Sequence, residues 1–501
     1  MSDARYTFGP FVLHPGRELQ RDGRPVAIGQ RALLMLETML AADGAVVTKS
    51  DLMAKVWPGM IVEEGNITVQ MAALRKELGQ DWIVTVPRVG YRLVRPSPGE
   101  SPANDGGRPA LAVLPFVNLS GETSRDYVAD GLVEDLITAF SRFKTFAVVS
   151  RNSSFVYKGR AVDVRQVSHD LGVRYLLEGS VRLAENRVRV TVQLIDAASG
   201  THHWASSFDG EMGEVFQFQD KVTEAVVGLV EPQIRRAEIE RARRRWPDSP
   251  QAYDHYLRAL PHFYSQDPSG YRSAFAHLQN AISLQPDYAL ALAYASWALA
   301  RGALASLDAL SNEEEAECID LARKALLYDD GDPLVLAVCG HSLLAIGDMK
   351  AEGLATARRA LKANPHNVTV LLLVGICNML AGDLDEAETC YRRAYQLSPG
   401  ALEASESLAG VGFSKFFKGD YEGAINWLEQ SRATLADWPP TFWMLAASYA
   451  QLGQRAAASA AVARLLEIAP NTTIARVATI AKRSDERFTA LLEGLRKAGL
   501  Q

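Results

Sequence analysis

A period in the second half of the chain constrains the fold more than any other feature. Gly347-Asp348, Gly382-Asp383, Gly419-Asp420 and Gly453-Gln454 recur at intervals of 35, 37 and 34 residues. Each is followed by an Ala-rich amphipathic stretch, as in GDLDEAETCYRRAYQLSPG and GQRAAASAAVARLLEIAP, and Pro333, Pro365, Pro399 and Pro470 close successive units. A unit of this kind is two helices joined by a Gly turn and stopped by Pro, which cannot continue a helix. One unit cannot bury its own apolar face, so several must stack, and the stack coils into a superhelix with a concave groove. AFAHLQNAISLQP at 274–286 is an earlier unit, and residues 306–317 stretch the pattern into an irregular repeat.

The first hundred residues follow another logic. Thr48 is an N-cap for a helix in which Leu52 and Val56 recur at helical spacing up to Trp57-Pro58. Asn66 caps a second helix, whose Ile67, Met71, Leu74 and Leu78 share one face and require a core. Its opposite face carries Val69, Ala72, Ala73 and Lys76, flanked by Thr68, Gln70 and Arg75. Side chains this small let a helix approach base edges; Gln pairs with adenine, and Val or Ala meets a thymine methyl. Residues 83–94 then form a hairpin turning at Pro87–Gly90, with Arg88 near the tip, where a cation can enter a minor groove. A small helical domain with a hairpin and no nucleic acid is the other reading of this pattern. Charge does not separate the two: residues 1–96 hold 12 Lys and Arg against 10 Asp and Glu.

The motifs VTKSDLMAKVW, NITVQMAALRKELG and TVPRVGYRLV, behind short strands at Tyr6–Leu13, Glu18–Leu19 and Pro25–Ile28 and a helix at Arg31–Ala41, resemble the OmpR/PhoB-type winged-helix DNA-binding domain. The resemblance implies a recognition helix at Ile67–Leu78 with Thr68, Gln70, Ala72, Arg75 and Lys76 at or near DNA. It implies that Arg88 and Tyr91 belong to the wing, and that the loop holding Trp57, Glu63 and Glu64 touches RNA polymerase. One departure stands out: many relatives carry two Arg where this chain has Ala72-Ala73, which implies fewer phosphate contacts. The periodic half resembles tetratricopeptide repeats over about 250–473, and such a groove typically takes a protein or peptide.

Between these parts, the polar run PSPGESPANDGGRP (96–109) reads as a flexible linker. A strand at Ala110–Phe116, a helix at Asp130–Phe140, a strand at Ala147–Ser150 and a helix at Gln166–Leu171 follow. Strands at Tyr175–Arg182, Arg187–Leu194 and His202–Phe208 come next, then a long helix from Val215. Strands that first alternate with helices and then join by hairpins imply a mixed sheet covered by helices. LAVLPFVNLSG, YLLEGSVR and RVRVTVQLIDAASGTHHW resemble the TolB amino-terminal-like domain, which also occurs in bacterial regulators and in proteins labelled adenylate cyclases. The adjacent His202 and His203 point to opposite faces of a strand and do not share a ligand. The basic run RRAEIERARRR (235–245), interleaved with Glu238 and Glu240, reads as a solvated connecting helix.

Hydrophobic content of 48% and charged content of 22% describe a globular protein, and a net charge of −6 confines any DNA contact to one part of the chain. Cys318, Cys339, Cys377 and Cys390 form no CxxC pair and read as reduced, buried residues of a cytoplasmic protein. The N-terminus is not a signal peptide, and neither Val368–Ala381 nor Leu290–Leu307 meets the roughly 20-residue requirement of a membrane span. This separates the chain from ToxR- and CadC-type relatives. GxxxxGK[ST], HExxH and GxSxG are absent, Gly410–Gly412 lacks a third glycine, and no receiver domain precedes the winged helix.

The expectation is a multidomain α+β protein. A winged helix-turn-helix (1–96) precedes the linker (97–109), a mixed α/β domain (110–232), a basic connecting helix (233–249) and an all-α tetratricopeptide superhelix (250–501). Its expected role is that of a non-enzymatic, cytoplasmic transcription regulator resembling the HilA type, without cofactor or metal. The expected partners are double-stranded promoter DNA, RNA polymerase, and a protein, peptide or second protomer on the repeats. The alternative is an adenylate-cyclase-associated or scaffold protein with a vestigial winged helix.

Overall fold

The computed structural model describes residues 6–8, 11–21, 24–26, 28–42, 47–58, 65–78, 82–86, 90–93, 108–160, 163–184, 186–244, 251–264, 268–347, 349–401, 403–481 and 487–501. They divide into two compact units, Met1–Asp105 and Gly106–Gln501.

In the first unit, β1 (Tyr6–Phe8), β2 (Phe11–His14), β3 (Glu18–Arg21) and β4 (Arg24–Val26) form an antiparallel meander. The single strand expected over Tyr6–Leu13 is two, pairing Tyr6 with Leu13 and Phe8 with Phe11. Helices α1 (Gln30–Ala41), α2 (Lys49–Val56) and α3 (Gly65–Leu78) follow, and a second sheet runs β5 (Val47–Thr48), β7 (Gly90–Leu93), β6 (Ile83–Val86). Thr48 caps α2 as expected, its hydroxyl accepting from the Asp51 amide at 3.1 Å. Helix α3 begins at Gly65, so Asn66 lies inside the first turn rather than before it. One core joins all of these: Leu33, Leu36 and Leu40 of α1 meet Leu52, Val56, Met71, Leu74 and Leu93. Phe11 meets Trp82 edge-on at 5.5 Å.

The second unit opens with a six-stranded mixed sheet. Strands β8 (Ala110–Val113), β9 (Val117–Asn118), β10 (Ala147–Val148), β11 (Tyr175–Ala184), β12 (Arg187–Asp196) and β13 (Thr201–Glu211) are arranged β10-β8-β11-β12-β13, with β9 also on β11. The β8, β9 and β10 pairings are parallel and the two hairpins antiparallel. Helices α4 (Asp126–Phe140), α5 (Arg151–Ser154), α6 (Val164–Leu171) and α7 (Val215–Arg244) complete the domain. On β11, Tyr175, Leu177, Val181 and Leu183 alternate with Gly179 between them. Val188, Val190, Val192 and Leu194 do the same on β12, and both rows pack under α4 and α7. A Cβ at Gly179 would sit 2.8 Å from the Phe116 ring, so the gap in the pattern seats an aromatic.

Helix α7 continues through Pro232 without a break, so the boundary expected there lies inside one helix. Its first half, through Ile234, packs in the sheet's core, whereas Ile239 and Ala242 belong to the core of the repeats. The repeats are helix pairs: α8 (Ala252–Tyr264) with α9 (Pro268–Leu284), α10 (Ala289–Ser306) with α11 (Asn312–Tyr328), α12 (Pro333–Ala345) with α13 (Lys350–Ala363), and α14 (Val368–Ala381) with α15 (Leu384–Leu397). Next come α16 (Ala404–Phe417) with α17 (Tyr421–Thr434) and α18 (Pro439–Gln451) with α19 (Arg455–Ile468), then α20 (Ile474–Ala481) and α21 (Arg487–Ala498). First helices such as α12 and α14 are buried around most of their circumference, which explains their all-round apolar sequence. Second helices bury a stripe of small residues, Ala357 and Ala360 or Ala387 and Ala394. Gly382, Gly419 and Gly453 take φ of 100°, 81° and 72° at the turns, where a side chain would be strained. No helix among the described residues is long and apolar enough to cross a membrane.

Candidate nucleic-acid interface

Helix α3 is held by its apolar stripe. Ile67, Met71, Leu74 and Leu78 are at most 5% exposed, which turns the other face outward. There Val69 is 64% exposed, Ala72 is exposed, and Gln70 and Ala73 are half-buried. This face carries only small or uncharged side chains among the described ones, Val69, Gln70, Ala72 and Ala73, and is narrow enough to enter a major groove. Thr68 and Lys76 lie on the same helix, but their side chains are outside the described ones.

Arg75 is engaged within the fold: its Nε and Nη2 donate to the Ile83 carbonyl at 3.3 and 2.9 Å, tying α3 to the start of the hairpin. Tyr91 is 6% exposed and packs in the core from β7. Both residues fix the hairpin's position relative to α3. Gly90 lets β7 lie close against β5, since a Cβ there would lie 2.0 Å from the Val47 carbonyl. Arg88 falls between β6 and β7, outside the described residues, as do Glu63 and Glu64. Trp57 is 7% exposed at the end of α2. The Arg31 guanidinium stands 5.9 Å from its ring and donates to the Val56 carbonyl, clamping the end of α2.

Sequence reasoning did not find the bond from Arg75 to Ile83 or the clamp by Arg31, because a main-chain acceptor leaves no mark on composition. The expectation for the basic run is corrected by the structure. Arg235 and Glu238 are not solvated: Glu238 is 1% exposed and takes bonds from Arg174 at 2.5 Å, Tyr175 at 2.8 Å and Arg241 at 2.8 Å. The run lies where α7 is squeezed between two cores, and these charges are paired rather than displayed. The cysteines are free and buried, and burial pushes the Cys318 thiol up to about 11 and those of Cys377 and Cys390 up to about 12. Among the described residues no group of His, Cys, Asp and Glu is placed to hold a metal.

A winged helix, a mixed sheet domain and a tetratricopeptide superhelix define a regulator-type architecture with a DNA-binding domain at its N-terminal side. Comparison with known proteins matches the first and last parts to the families expected, and the middle part to a HilA/YgeH-like regulator domain where a TolB amino-terminal-like one was expected. Residues 23–93 match the family of transcriptional regulatory protein C-terminal domains, 107–225 the HilA/YgeH-like transcriptional regulator second domain, and 340–402 the tetratricopeptide repeat. The chain is 24% identical over 417 residues to the transcriptional regulator HilA of Salmonella typhimurium, covering 80% of this chain and 71% of that one. It is 35% identical over 247 residues to a putative adenylate cyclase 3 of Rhizobium meliloti, covering 49% of this chain and 41% of that relative's length. It is 37% identical over 79 residues to the regulatory protein CutR of Streptomyces coelicolor, 15% of this chain and 36% of that one. Among solved structures, the DNA-binding domain of Escherichia coli CadC aligns at 27% identity with a TM-score of 0.17, covering 19% of this chain and 96% of that domain.

Proposed function

We propose that this protein is a transcription regulator that binds double-stranded promoter DNA through α3. The observation that carries the reading is the division of α3 into a fully buried apolar stripe and an outer face of Val69, Gln70, Ala72 and Ala73. In this reading Gln70 and Ala72 meet base edges from the major groove, and Thr68 and Lys76 border the backbone. Arg88 at the wing enters the adjacent minor groove. Arg75 and Tyr91 act through the hairpin they hold, setting the angle between wing and helix. The loop after Trp57, with Glu63 and Glu64, is the surface offered to RNA polymerase. A protein partner or second protomer engages the repeats from outside, where Leu327 is 79% and Tyr328 52% exposed. A paired module is needed because Ala72-Ala73 supplies no cation to phosphate. The reading is of a non-enzymatic, cytoplasmic protein.

Selection from a random duplex pool tests it. The full chain is expected to enrich a defined sequence, and Gln70→Ala to enrich a different one. A pool that stays random after repeated rounds contradicts the reading and favours a scaffold whose winged helix no longer reads DNA.

A further inference from the structure

The concave side of the superhelix is not an open groove. Arg476, in α20, donates to the Ser306 carbonyl at 2.6 Å and to Asp308 at 2.9 Å, at the end of α10. Arg487, at the start of α21, donates to the Met379 and Leu380 carbonyls at 3.0 and 3.3 Å, at the end of α14. The last two helices are thus latched across the inner face, and a cavity of about 230 Å³ remains beneath them. Its walls come largely from the first helices α10, α12, α14, α16 and α18, and Val477, Phe488 and Leu491 line it from α20 and α21. An apolar cavity of about 150 Å³ is already large enough to take up benzene.

The wall is apolar save for a few polar groups. Arg301, 6% exposed, spends Nε–H on the Tyr271 hydroxyl at 3.3 Å and an Nη2–H on Glu406 at 3.0 Å. A guanidinium has five N–H donors. His341 and Trp443, 4% and 8% exposed, also line the cavity, and their Nδ1 and Nε1 have no hydrogen-bond partner among the described residues. An apolar surface left to water at this spot forfeits the contacts that an apolar occupant would supply.

We propose that this cavity is a binding site for a small, uncharged, largely apolar molecule bearing one hydrogen-bond acceptor, such as a ketone or lactone carbonyl. The latch formed by Arg476 and Arg487 bars an extended peptide from the inner face. The volume suits a compact molecule. The charge of Arg301 is already met by Glu406, and the other cation of the lining, Lys350, is solvent-exposed, so a ligand carboxylate at the Arg301 end would face a buried acid. A neutral acceptor needs only a donor, and Arg301 keeps N–H groups beyond those spent on Tyr271 and Glu406.

The proposal goes beyond DNA binding and its test uses no DNA, so its failure leaves the regulator reading untouched. The full chain is titrated with 2-octanone and with octanoate, followed by tryptophan fluorescence and by saturation-transfer NMR of the probe. Ala303→Trp and Ile376→Trp, from α10 and α14, fill the cavity, and far-UV circular dichroism verifies their folding. The expected result is saturable binding of one ketone per chain, octanoate at least tenfold weaker, and at least tenfold loss in whichever variant keeps the parent spectrum. Absence of saturable ketone binding, octanoate binding as tightly as the ketone, or unchanged affinity in a folded Trp variant overturns the proposal.

Discussion

Gly375 and Gly410 stand on either side of one ring. A Cβ at Gly375 would lie 2.8 Å from Tyr391, and one at Gly410 2.5 Å. Tyr391, 1% exposed, is the wedge that spaces α14 from α16, and both glycines make room for it. Gly410→Ala is therefore expected to overpack the site and cost about 1–3 kcal/mol, read as a lower urea midpoint at unchanged slope. A stability equal to the parent's would show that the ring can move aside. His341 sets a second expectation. Burial, helped by the nearby Arg301 charge, pushes its imidazole down to about 3. A depressed histidine is neutral in the folded state, so its contribution is intact above the ordinary value near 6.5 and lost as pH falls below it. At pH 5 the loss is on the order of 2 kcal/mol. Asp332, pushed up to about 6 by burial, works the other way, so the comparison must be with a variant. His341→Gln should flatten the fall in unfolding free energy between pH 7 and pH 5; an unchanged slope would show that His341 does not titrate as described. Neither role was legible in the sequence. Gly410 reads there as part of a glycine pair between helices that lacks the third glycine of a nucleotide loop, whereas it lies inside α16, and nothing local marks the ring that fills its place.

At the scale of elements, α3 and the hairpin act as one device. Because Arg75 spends its guanidinium on the Ile83 carbonyl, Arg75→Ala should free the hairpin from α3. The expected outcome is weaker binding to every DNA sequence together with a lower melting temperature of the N-terminal unit. A loss of affinity with no change in melting would return Arg75 to a direct phosphate contact. Much of this unit could be read in advance, because the stripe Ile67, Met71, Leu74, Leu78 has only one way to be buried. The same holds for the repeat helices, whose Gly turns and Ala stripes recur at fixed spacing. Element ends were less legible. Asn66 has a capping residue's chemistry, yet the helix starts at Gly65, and Tyr6–Leu13 holds two strands paired with each other where one was expected. Short strands and first turns are decided by pairing and packing that local composition does not record.

At the scale of the molecule, α7 makes the mixed domain and the repeats one body. Arg235 near its middle donates to Tyr264 at 2.8 Å, to Thr369 at 3.1 Å and to Glu403 at 2.6 Å, and lies 3.6 Å from Glu231. Burial raises both carboxyls, but the directly bonded Arg235 brings Glu403 below the usual range while Glu231 stays above it. Arg235→Ala would strand these acids and is expected to cost about 3–5 kcal/mol, seen in calorimetry as an earlier melt of the second unit. A melt like the parent's would mean that apolar packing alone joins the two cores. A basic run suggests a surface, and only the fold reveals that part of it is buried against acids, one of them from a distant repeat.

That the outer face of α3 meets DNA is tested most directly by Val69→Glu. Val69 is 64% exposed, so the change leaves the core intact while placing a negative charge against phosphate. On the duplex that the full chain selects, fluorescence anisotropy at two salt concentrations should show salt-sensitive binding by the parent and at least a hundredfold loss in the variant, with melting unchanged. Equal binding by parent and variant would contradict the claim and place any DNA contact elsewhere on the chain.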